Sequence, residues 1–234
     1  MATQDELKQA AAEAAGALVE DGMVVGLGSG STASAAVQVI GRRVAQGLRI
    51  VGVPTSEKTR ALAAGLSIPL STLDEQSRID LTIDGADEVE RGSLNLIKGR
   101  GGALLYEKLI AASSRRFAIV VDASKVVDRL CPDREAIPVE VVPFGWRTTA
   151  QRLAGLGAEW TLRTGSDGAP SLTDGGHYTV DCRFPLFDSA RDLQAKIDGI
   201  VGVVEHGLFL GMATEVIVAR PGGIDVMKSI FRST

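Results

Sequence analysis

Four ionisable side chains lie close together in the chain, at positions typical of a catalytic site. Asp84 and Asp87 are separated by three positions at the end of an apolar strand, in the run Asp-Gly-Ala-Asp. Lys98 ends a second short apolar run, just before a glycine-rich turn, and Glu107 follows on a largely apolar helix. Burial on such a helix raises the pKa of a glutamate toward the range of a general base. An acid, a base and a cation at strand ends suit a reaction in which a proton moves and negative charge develops on a carbonyl oxygen.

A second glycine-rich segment, Gly26-Leu27-Gly28-Ser29-Gly30-Ser31-Thr32, lies between a predicted strand and a predicted helix. Glycines allow the backbone to approach an anion, and a helix N-terminus offers free N–H groups. No lysine follows the last glycine, so the segment is not a Walker loop. The dinucleotide fingerprint needs glycine or alanine at position 31, where this chain has serine. It also needs an acid at the tip of the second strand, where this chain has Pro-Thr-Ser at 54–56, so the segment does not match that fingerprint either. We therefore expect a small phosphorylated ligand, with a purely structural turn as the alternative.

These segments must be positioned by helices and strands that alternate through the first half of the chain. The pattern predicts a helix over 4–20, a strand over 23–27, a helix from 32, a strand over 49–53, a helix from 56, a strand over 79–83, a helix starting near 103 and a strand over 117–121. This order predicts an α/β fold with a doubly wound, mostly parallel sheet. Ligands bind such sheets outside the carboxyl ends of the strands, where the candidate residues fall.

The second half changes character after Cys131. Strands are predicted over 139–142, 159–163, 178–182 and 202–205, with helices over 146–154 and 189–197. The order β-α-β-β-α-β is typical of a ferredoxin-like α+β module. We therefore predict a catalytic α/β domain of residues 1–130 and 207–234, with an inserted smaller ferredoxin-like domain of residues 131–206.

Composition excludes several classes of partner. The net charge of −4 offers no basic surface for nucleic acid, and no run reaches the ~18 apolar residues of a membrane span. The N-terminus has a capping box, Thr3 to Glu6, and lacks the features of a signal peptide, so we expect a cytoplasmic protein. Two cysteines and two histidines, at positions 131, 182, 177 and 206, have no metal-ligand spacing. We expect neither a metal nor another cofactor.

Taken together, the motifs resemble the A-type ribose-5-phosphate isomerases over nearly the whole chain. The matching blocks are Gly-Leu-Gly-Ser-Gly-Ser-Thr at 26–32, Val-Pro-Thr-Ser at 53–56, Asp-Gly-Ala-Asp-Glu at 84–88, Leu-Ile-Lys-Gly at 96–99, Ala-Leu-Leu-Tyr-Glu-Lys at 103–108, Asp-Ala-Ser-Lys at 122–125 and Gly-Val-Val-Glu-His-Gly-Leu-Phe at 202–209. The resemblance implies a two-domain α/β enzyme that interconverts ribose 5-phosphate and ribulose 5-phosphate without a metal, in the non-oxidative pentose phosphate pathway. Independently of the resemblance, we expect a symmetric homo-oligomer, either a homodimer or a homotetramer.

The resemblance also implies roles for individual residues. Glu107 matches the general base, and Asp84, Asp87 and Lys98 match the groups that open the sugar ring and stabilise the oxyanion. The substrate-binding positions that match are Ser29, Gly30, Ser31, Thr32, Asp84, Gly85, Ala86, Asp87, Lys98, Gly99, Arg100, Gly101, Lys125 and Lys8. Four positions depart from the usual family pattern: Ser29, Arg100, Tyr106 and His206. Of these, Arg100 bears on substrate binding, because it stands where a glycine is usual.

The chemistry of the residues is consistent with the same reaction. One carboxylate that reaches two adjacent carbons can transfer a proton through an enediol, and we assign this to Glu107. Lys98 and the N–H groups of the glycine turn would stabilise the oxyanion. Two alternatives remain open from the sequence. The first is a coenzyme A transferase or sugar-phosphate deaminase, in which a nucleophilic glutamate would be trappable by hydroxylamine or borohydride. The second is a sugar-phosphate-sensing regulatory domain, for which we find no basic DNA-binding segment.

Overall fold

The structure is a computed structural model and describes residues 3–229 of the chain. Its helices are α1 (Gln4–Gly16), α2 (Ser31–Ala45), α3 (Glu57–Gly65), α4 (Leu104–Ala112), α5 (Trp146–Ala154) and α6 (Ala190–Asp198). Its strands are β1 (Val24–Leu27), β2 (Val51–Pro54), β3 (Leu81–Asp84), β4 (Glu88–Glu90), β5 (Leu96–Ile97), β6 (Phe117–Asp122), β7 (Val126–Val127), β8 (Ile137–Val141), β9 (Glu159–Leu162), β10 (Tyr178–Arg183), β11 (Val203–His206), β12 (Leu208–Phe209), β13 (Glu215–Arg220) and β14 (Gly223–Lys228). A short 3-10 helix, Ala123–Lys125, follows β6.

The largest sheet has six strands in the order β14-β13-β6-β3-β1-β2. Its strands pair in parallel except for β14, which pairs antiparallel with β13. Along β6, Ala118 and Val120 pack with the α1 and α2 core, while Phe117 and Ile119 belong to the core on the opposite face. α1 and α2 thus cover one face, and α4 together with β4 and β5 covers the other, which confirms the predicted doubly wound sheet.

A second sheet of four strands, in the order β11-β8-β10-β9, is antiparallel throughout. With α5 and α6 it forms the predicted β-α-β-β-α-β unit, and its core includes Val139, Val180, Leu153 and Ile197. The ferredoxin-like module is therefore confirmed. The domain boundaries at residues 131 and 206 stay a prediction.

A third, small sheet, in the order β12-β5-β4-β7, was not predicted. β4 and β5 are antiparallel, with Glu88 opposite Ile97, and Asp87 N–H donates to the carbonyl of Ile97 at 2.8 Å. This pairing brings the segment after β3 alongside Lys98. The small sheet is therefore what joins the two halves of the predicted catalytic motif.

Several predicted element bounds were wrong by a few residues. α1 ends at Gly16 rather than near position 20, and β3 begins at Leu81 rather than at position 79. The strand predicted from position 139 begins at Ile137, so Pro138 lies within β8. The predicted capping box was confirmed, because the side chains of Thr3 and Glu6 each accept a hydrogen bond from the other residue's backbone N–H.

Candidate active site

A cavity of about 210 Å³ opens at the carboxyl ends of β1, β3 and β6. Predicted site residues account for most of its wall: Lys8, Ser29, Gly30, Ser31, Thr32, Gly85, Ala86, Asp87, Lys98, Gly99, Gly101, Glu107 and Lys125. Thirteen predicted positions that are distant in sequence therefore meet in one place. Two of the predicted residues, Asp84 and Arg100, do not line the cavity.

Beneath the cavity lies a buried charge cluster of Asp84, Lys98 and Glu107. These residues are 0%, 3% and 4% exposed, respectively. Lys98 Nζ lies 3.0 Å from Asp84 Oδ2 and 3.3 Å from Glu107 Oε2, and it donates to the carbonyl of Gly85 at 2.6 Å. One ammonium thus faces two carboxylates in a nearly fully buried environment, and Lys98 and Glu107 border the cavity on one side.

Asp84 is fixed by the backbone of the first glycine turn. Its Oδ1 accepts hydrogen bonds from the N–H groups of Ser29 at 3.0 Å and Gly85 at 2.7 Å. A Cβ at Gly28 would lie 2.4 Å from Asp84 Oδ1 and 2.5 Å from its Cα, so only glycine allows β1 and β3 to approach this closely. The glycine turn therefore supports Asp84 in addition to facing the cavity.

Both the backbone and the side chain of Lys98 are held by the segment from Gly207 to Phe209. Its backbone N–H donates to the carbonyl of Gly207 at 2.9 Å, and a Cβ at Gly207 would lie 2.2 Å from the Lys98 carbonyl oxygen. The ammonium lies 5.6 Å from the centroid of the Phe209 ring. The Gly207 to Phe209 segment, which the sequence motif contained without an assigned role, thus forms the floor under Lys98.

Burial controls the protonation of this cluster. Burial raises the pKa of Glu107 to about 7, with Lys98 opposing the rise and Asp84 adding to it. Burial also raises the pKa of Asp84, against the effect of Lys98. Burial alone would lower the pKa of Lys98, but Asp84 and Glu107 outweigh it and hold that pKa above its usual range. Lys98 therefore stays charged while Glu107 can gain and lose a proton near neutral pH.

Two carboxylate oxygens in the cluster lack a hydrogen bond of normal geometry. They are Asp84 Oδ2 and Glu107 Oε2, which face Lys98 at ion-pair distance only. A buried oxygen without a hydrogen bond is costly and readily accepts a proton or a hydroxyl donor. Because Glu107 lines the cavity, its carboxylate can meet a ligand there.

The two aspartates occupy different environments. Asp84 is fully buried behind the wall, whereas Asp87 is half-buried and lines the cavity. Asp87 Oδ2 accepts the backbone N–H of Arg100 at 3.0 Å. Asp87 can therefore touch a ligand, and Asp84 reaches one only through Lys98.

Another part of the cavity wall is suited to an anion. α2 begins at Ser31 and has Gly30 as its N-cap, with φ of 90° and no capping side chain. The first-turn N–H groups therefore remain available to a ligand. Lys8 from α1 and Lys125 after β6 add two cations to the same wall.

The predicted site residues did not include Gln4 and Asp122, which also line the cavity, although residues 122–125 were among the matching family blocks. Asp122 ends β6, so its strand-end position was a usable signal, and its Oδ1 accepts the N–H of Ser124 at 2.9 Å. Gln4 lies in the first turn of α1, and only the packing of α1 against β6 and β13 brings it to the cavity. No local sequence signal marks it.

Ser29 contributes differently from the expectation of a ligand-facing hydroxyl. Its Oγ is engaged by Thr55 Oγ1 at 2.8 Å, Ser56 Oγ at 2.7 Å and Thr59 Oγ1 at 3.1 Å. This hydroxyl cluster ties the end of β1 to the end of β2. Serine at this position therefore serves to hold the turn in place.

The other departures from the family pattern lie away from the cavity. The Arg100 side chain extends to Glu88 and Glu135, at 3.4 and 3.0 Å. Tyr106 donates its hydroxyl to the carbonyl of Asp174 at 3.3 Å, and His206 is buried with Nε2 2.9 Å from Asp198. Arg100 therefore contacts the site through its backbone N–H, which donates to Asp87, and its guanidinium binds acids outside the cavity.

Comparison with known proteins gives a consistent result. The family model of ribose 5-phosphate isomerase A (phosphoriboisomerase A) matches residues 51–223. Ribose-5-phosphate isomerase A of Synechococcus sp. (strain JA-3-3Ab) is 56% identical over 229 residues, covering 97% of this chain and 99% of that protein. The solved structure of ribose 5-phosphate isomerase A from Methanocaldococcus jannaschii superposes with a TM-score of 0.92 at 39% identity, covering 97% of this chain and all of that one.

The chain belongs to the ribose-5-phosphate isomerase A family.

A further structure of a D-ribose-5-phosphate isomerase, in complex with phospho-erythronic acid, has a TM-score of 0.92 at 38% identity, covering 97% of this chain and 100% of that chain. Membership of the isomerase family confirms the predicted resemblance. It also favours an isomerase over the coenzyme A transferase, deaminase and regulatory alternatives.

Two further features of this family member concern metals and membranes. Among residues 3–229, the cluster of three potential metal ligands is Asp198, Glu205 and His206, and none of them lines the cavity. Lys108 Nζ already donates to Glu205 Oε1 at 2.5 Å there. Within the same described residues, no helix has both the length and the apolar character needed to cross a membrane.

Proposed function

We propose that this chain interconverts D-ribose 5-phosphate and D-ribulose 5-phosphate in the pentose phosphate pathway, with Glu107 carrying a proton between C2 and C1. The observation that carries the proposal is the buried charge cluster. It combines a carboxylate with a pKa of about 7 and a permanently charged ammonium 3.3 Å away, at the floor of an anion-binding cavity. A proton carrier next to a fixed cation is what an enediol mechanism needs.

The substrate phosphate binds at the N-terminus of α2, between Lys8 and Lys125. The N–H groups of the first helical turn and two cations complement a dianionic phosphate. The sugar carbons then extend toward Lys98 and Glu107. The related isomerase bound to phospho-erythronic acid, a phosphorylated sugar acid, supports this class of ligand.

Ring opening is assigned to Asp87 rather than Asp84. Asp87 lines the cavity and can exchange a proton with the anomeric hydroxyl or the ring oxygen, whereas Asp84 is fully buried. Asp84 holds Lys98 in position through the 3.0 Å ion pair. Because the two carboxylates of the cluster share one ammonium, they titrate as a coupled system.

Isomerisation moves one proton from C2 to C1 by way of Glu107, and one proton from O2 to O1 through solvent in the open cavity. Glu107 removes the proton from C2 of the open-chain aldose, and the electron pair moves into the carbonyl, so that negative charge develops on O1. The Lys98 ammonium stabilises that charge. Protonated Glu107 then returns its proton to C1, while the O2 proton is lost and O1 is protonated, which leaves the ketose.

Incubation with ribose 5-phosphate in heavy water, followed by NMR, tests the proposal. We expect ribulose 5-phosphate carrying deuterium at C1, because a carboxylate exchanges its proton with solvent during the cycle. Unphosphorylated ribose serves as the control and should react poorly, since it lacks the anion that the α2 turn binds. Absence of the ketose, or covalent trapping of Glu107 by hydroxylamine, would refute the isomerase mechanism.

The chain further acts as a homodimer or homotetramer in the cytoplasm, according to the same proposal. Val142, Phe144 and Val201 are exposed apolar side chains near one edge of the ferredoxin-like sheet, and Phe144 is 94% exposed. Cys131 and Cys182 are both free, as is usual in a reducing compartment. Sedimentation velocity tests the assembly: the wild type should sediment as an oligomer, and Phe144→Ser should be shifted toward the monomer. Fractionation of source cells tests the compartment. A wild-type monomer at micromolar concentration would refute the assembly.

A further inference from the structure

We propose that Arg163, a residue of the ferredoxin-like unit, is a positioning residue that aims a backbone N–H of the Lys98 turn (residues 98–102) into the active-site cavity. Arg163 directly follows β9, and its Nη1 donates to the carbonyls of Gly99 at 3.0 Å and Arg100 at 3.2 Å. The inference rests on the proposed function for its catalytic consequence, and on the contacts of the turn for its geometry.

Asp181 holds the guanidinium in place from the opposite edge. Arg163 Nε lies 3.0 Å from Asp181 Oδ2, and Nη2 lies 2.5 Å from Asp181 Oδ1. This two-point contact fixes the plane of the guanidinium, which a lysine ammonium cannot reproduce. Asp181 lies on β10, next to β9, so the pair is built into the antiparallel sheet. The ferredoxin-like unit thereby presents a rigid donor to the turn.

The direction of the two carbonyls determines where the neighbouring N–H groups point. In a trans peptide the C=O and the following N–H point in opposite directions. Because the carbonyls of Gly99 and Arg100 point to Arg163, the N–H groups of Arg100 and Gly101 point away from it. The Arg100 N–H accordingly donates to Asp87 Oδ2 at 3.0 Å.

In the Lys98 turn, the N–H groups of Gly99 and Gly101 are without a hydrogen-bond partner among the described residues, but only the Gly101 N–H belongs to a peptide whose carbonyl, that of Arg100, is held by Arg163. Gly101 lines the cavity, and within residues 3–229 its N–H has no hydrogen-bond partner. Gly99 and Gly102 have φ of 101° and 86°. Glycine populates positive and negative φ about equally, so these residues alone do not fix the conformation of the turn. The Gly102 N–H closes the turn by donating to the Gly99 carbonyl at 3.0 Å. A turn closed in this way can have its central peptide, here Arg100–Gly101, in either of two opposite orientations, and the contact of Arg163 with the Arg100 carbonyl selects one of them. We therefore assign the Gly101 N–H to the substrate, as a donor that strengthens as charge develops on oxygen.

The loss of Arg163 should reduce kcat more than it raises KM. Removal of one oxyanion donor lowers kcat by roughly 10²–10³-fold. Arg163 orients the donor and is not itself the donor, so we expect about a 10- to 100-fold decrease in kcat for Arg163→Ala. Arg163→Lys should remain impaired, because an ammonium cannot bridge two carbonyls and Asp181 together.

Arg134→Ala is the matched control. Arg134 also donates from the ferredoxin-like unit to a carbonyl, that of Phe184 at 3.4 Å, and to a carboxylate, that of Glu159 at 2.9 Å. Among the described residues, its hydrogen bonds and ion pair are to Phe184 and Glu159 and not to the Lys98 turn. Thermal melts of both alanine variants measure the structural effect, which should be similar. Ethylguanidinium should partly restore the kcat of Arg163→Ala and leave Arg134→Ala unchanged.

NMR separates this inference from the proposed function. In protein labelled with ¹⁵N-glycine, the Gly101 resonance should shift when phospho-erythronic acid is added to the wild type. In Arg163→Ala that resonance should be broadened or should shift much less, while Arg134→Ala should behave as the wild type. A wild type that makes no ribulose 5-phosphate would refute the proposed function only. A kcat for Arg163→Ala within about twofold of wild type, losses equal to those of Arg134→Ala, or an unchanged Gly101 response would overturn the role of Arg163.

Discussion

Replacement of Glu107 by Gln tests the proposed mechanism most directly. The amide keeps the size of the side chain but cannot accept a proton from C2. We expect kcat to fall by at least the ~10²–10⁴-fold typical of a general base, with far less change in KM. Steady-state kinetics with ribose 5-phosphate measures both constants. Glu13→Gln, at an exposed position on α1, provides the control and should retain wild-type kinetics.

The pH dependence of the same pair of enzymes gives a second measurement. Burial raises the pKa of Glu107 to about 7, and the base is active only when ionised. The kcat/KM of the wild type should therefore fall about tenfold for each pH unit below that pKa. The residual activity of Glu107→Gln should lack this inflection, since the titrating group is gone.

Stability should change in the opposite direction to activity. The folded-state pKa of about 7 exceeds the ordinary value of 4.5, so the fold favours protonated Glu107, and stability is lost as pH rises from 4.5 to 7. One pKa unit is worth about 1.4 kcal/mol, so the ionised side chain costs roughly 3 kcal/mol above pH 7. Glu107→Gln avoids this cost and should resist urea better than the wild type at pH 8, with little difference near pH 4.5.

The kinetic prediction and the stability prediction for Glu107→Gln can each be contradicted by a separate result. A Glu107→Gln enzyme that keeps most of its kcat would make Asp87 or Asp84 the better candidate for the base. The difference in urea midpoint between Glu107→Gln and wild type should be larger at pH 8 than at pH 4.5. If this difference is the same at both pH values, the argument from burial is wrong, but the assignment of the base is unaffected. The two measurements therefore test the chemistry and the electrostatics separately.

Four other substitutions and one treatment test the rest of the site. Lys125→Ala or Thr32→Val should raise KM, and should lower kcat as well if phosphate binding also positions the carbons; unchanged kinetics in both would put the phosphate elsewhere. Arg100→Gly should keep kcat/KM within about threefold, because the side chain contacts Glu88 and Glu135 outside the cavity; a collapse would reveal a binding role for the guanidinium. Gly28→Ala should lose activity and about 1–3 kcal/mol of stability, since its Cβ would lie within 2.5 Å of the Asp84 backbone; a denaturant midpoint and kcat equal to wild type would contradict that packing. Prolonged chelation should leave the rate unchanged, and a loss restored by a divalent ion would exclude the metal-free mechanism.

Much of the architecture is determined by local patterns in the sequence. Apolar runs such as 117–121 must be buried on both faces, and their alternation with helices leads to a parallel sheet with its strand ends on one edge. Gly28 and Gly30 lie between a strand and a helix, where backbone must approach an anion or another strand. These features depend on residues within a few positions of each other, and so the sheet, the cavity edge and most of the wall were predictable.

The tertiary structure alone decided which groups meet within the site. β4 and β5 are three and two residues long, too short for a periodic signal, yet their pairing brings Lys98 to Asp87. The difference between Asp84 and Asp87, one buried and one facing the cavity, depends on how closely β1 approaches β3.

Arg163 and Gln4 belong to elements that are far from the catalytic motif in sequence. Their positions depend on how one unit packs against another. Direction and burial of a side chain result from long-range packing, and short-range sequence patterns do not encode them.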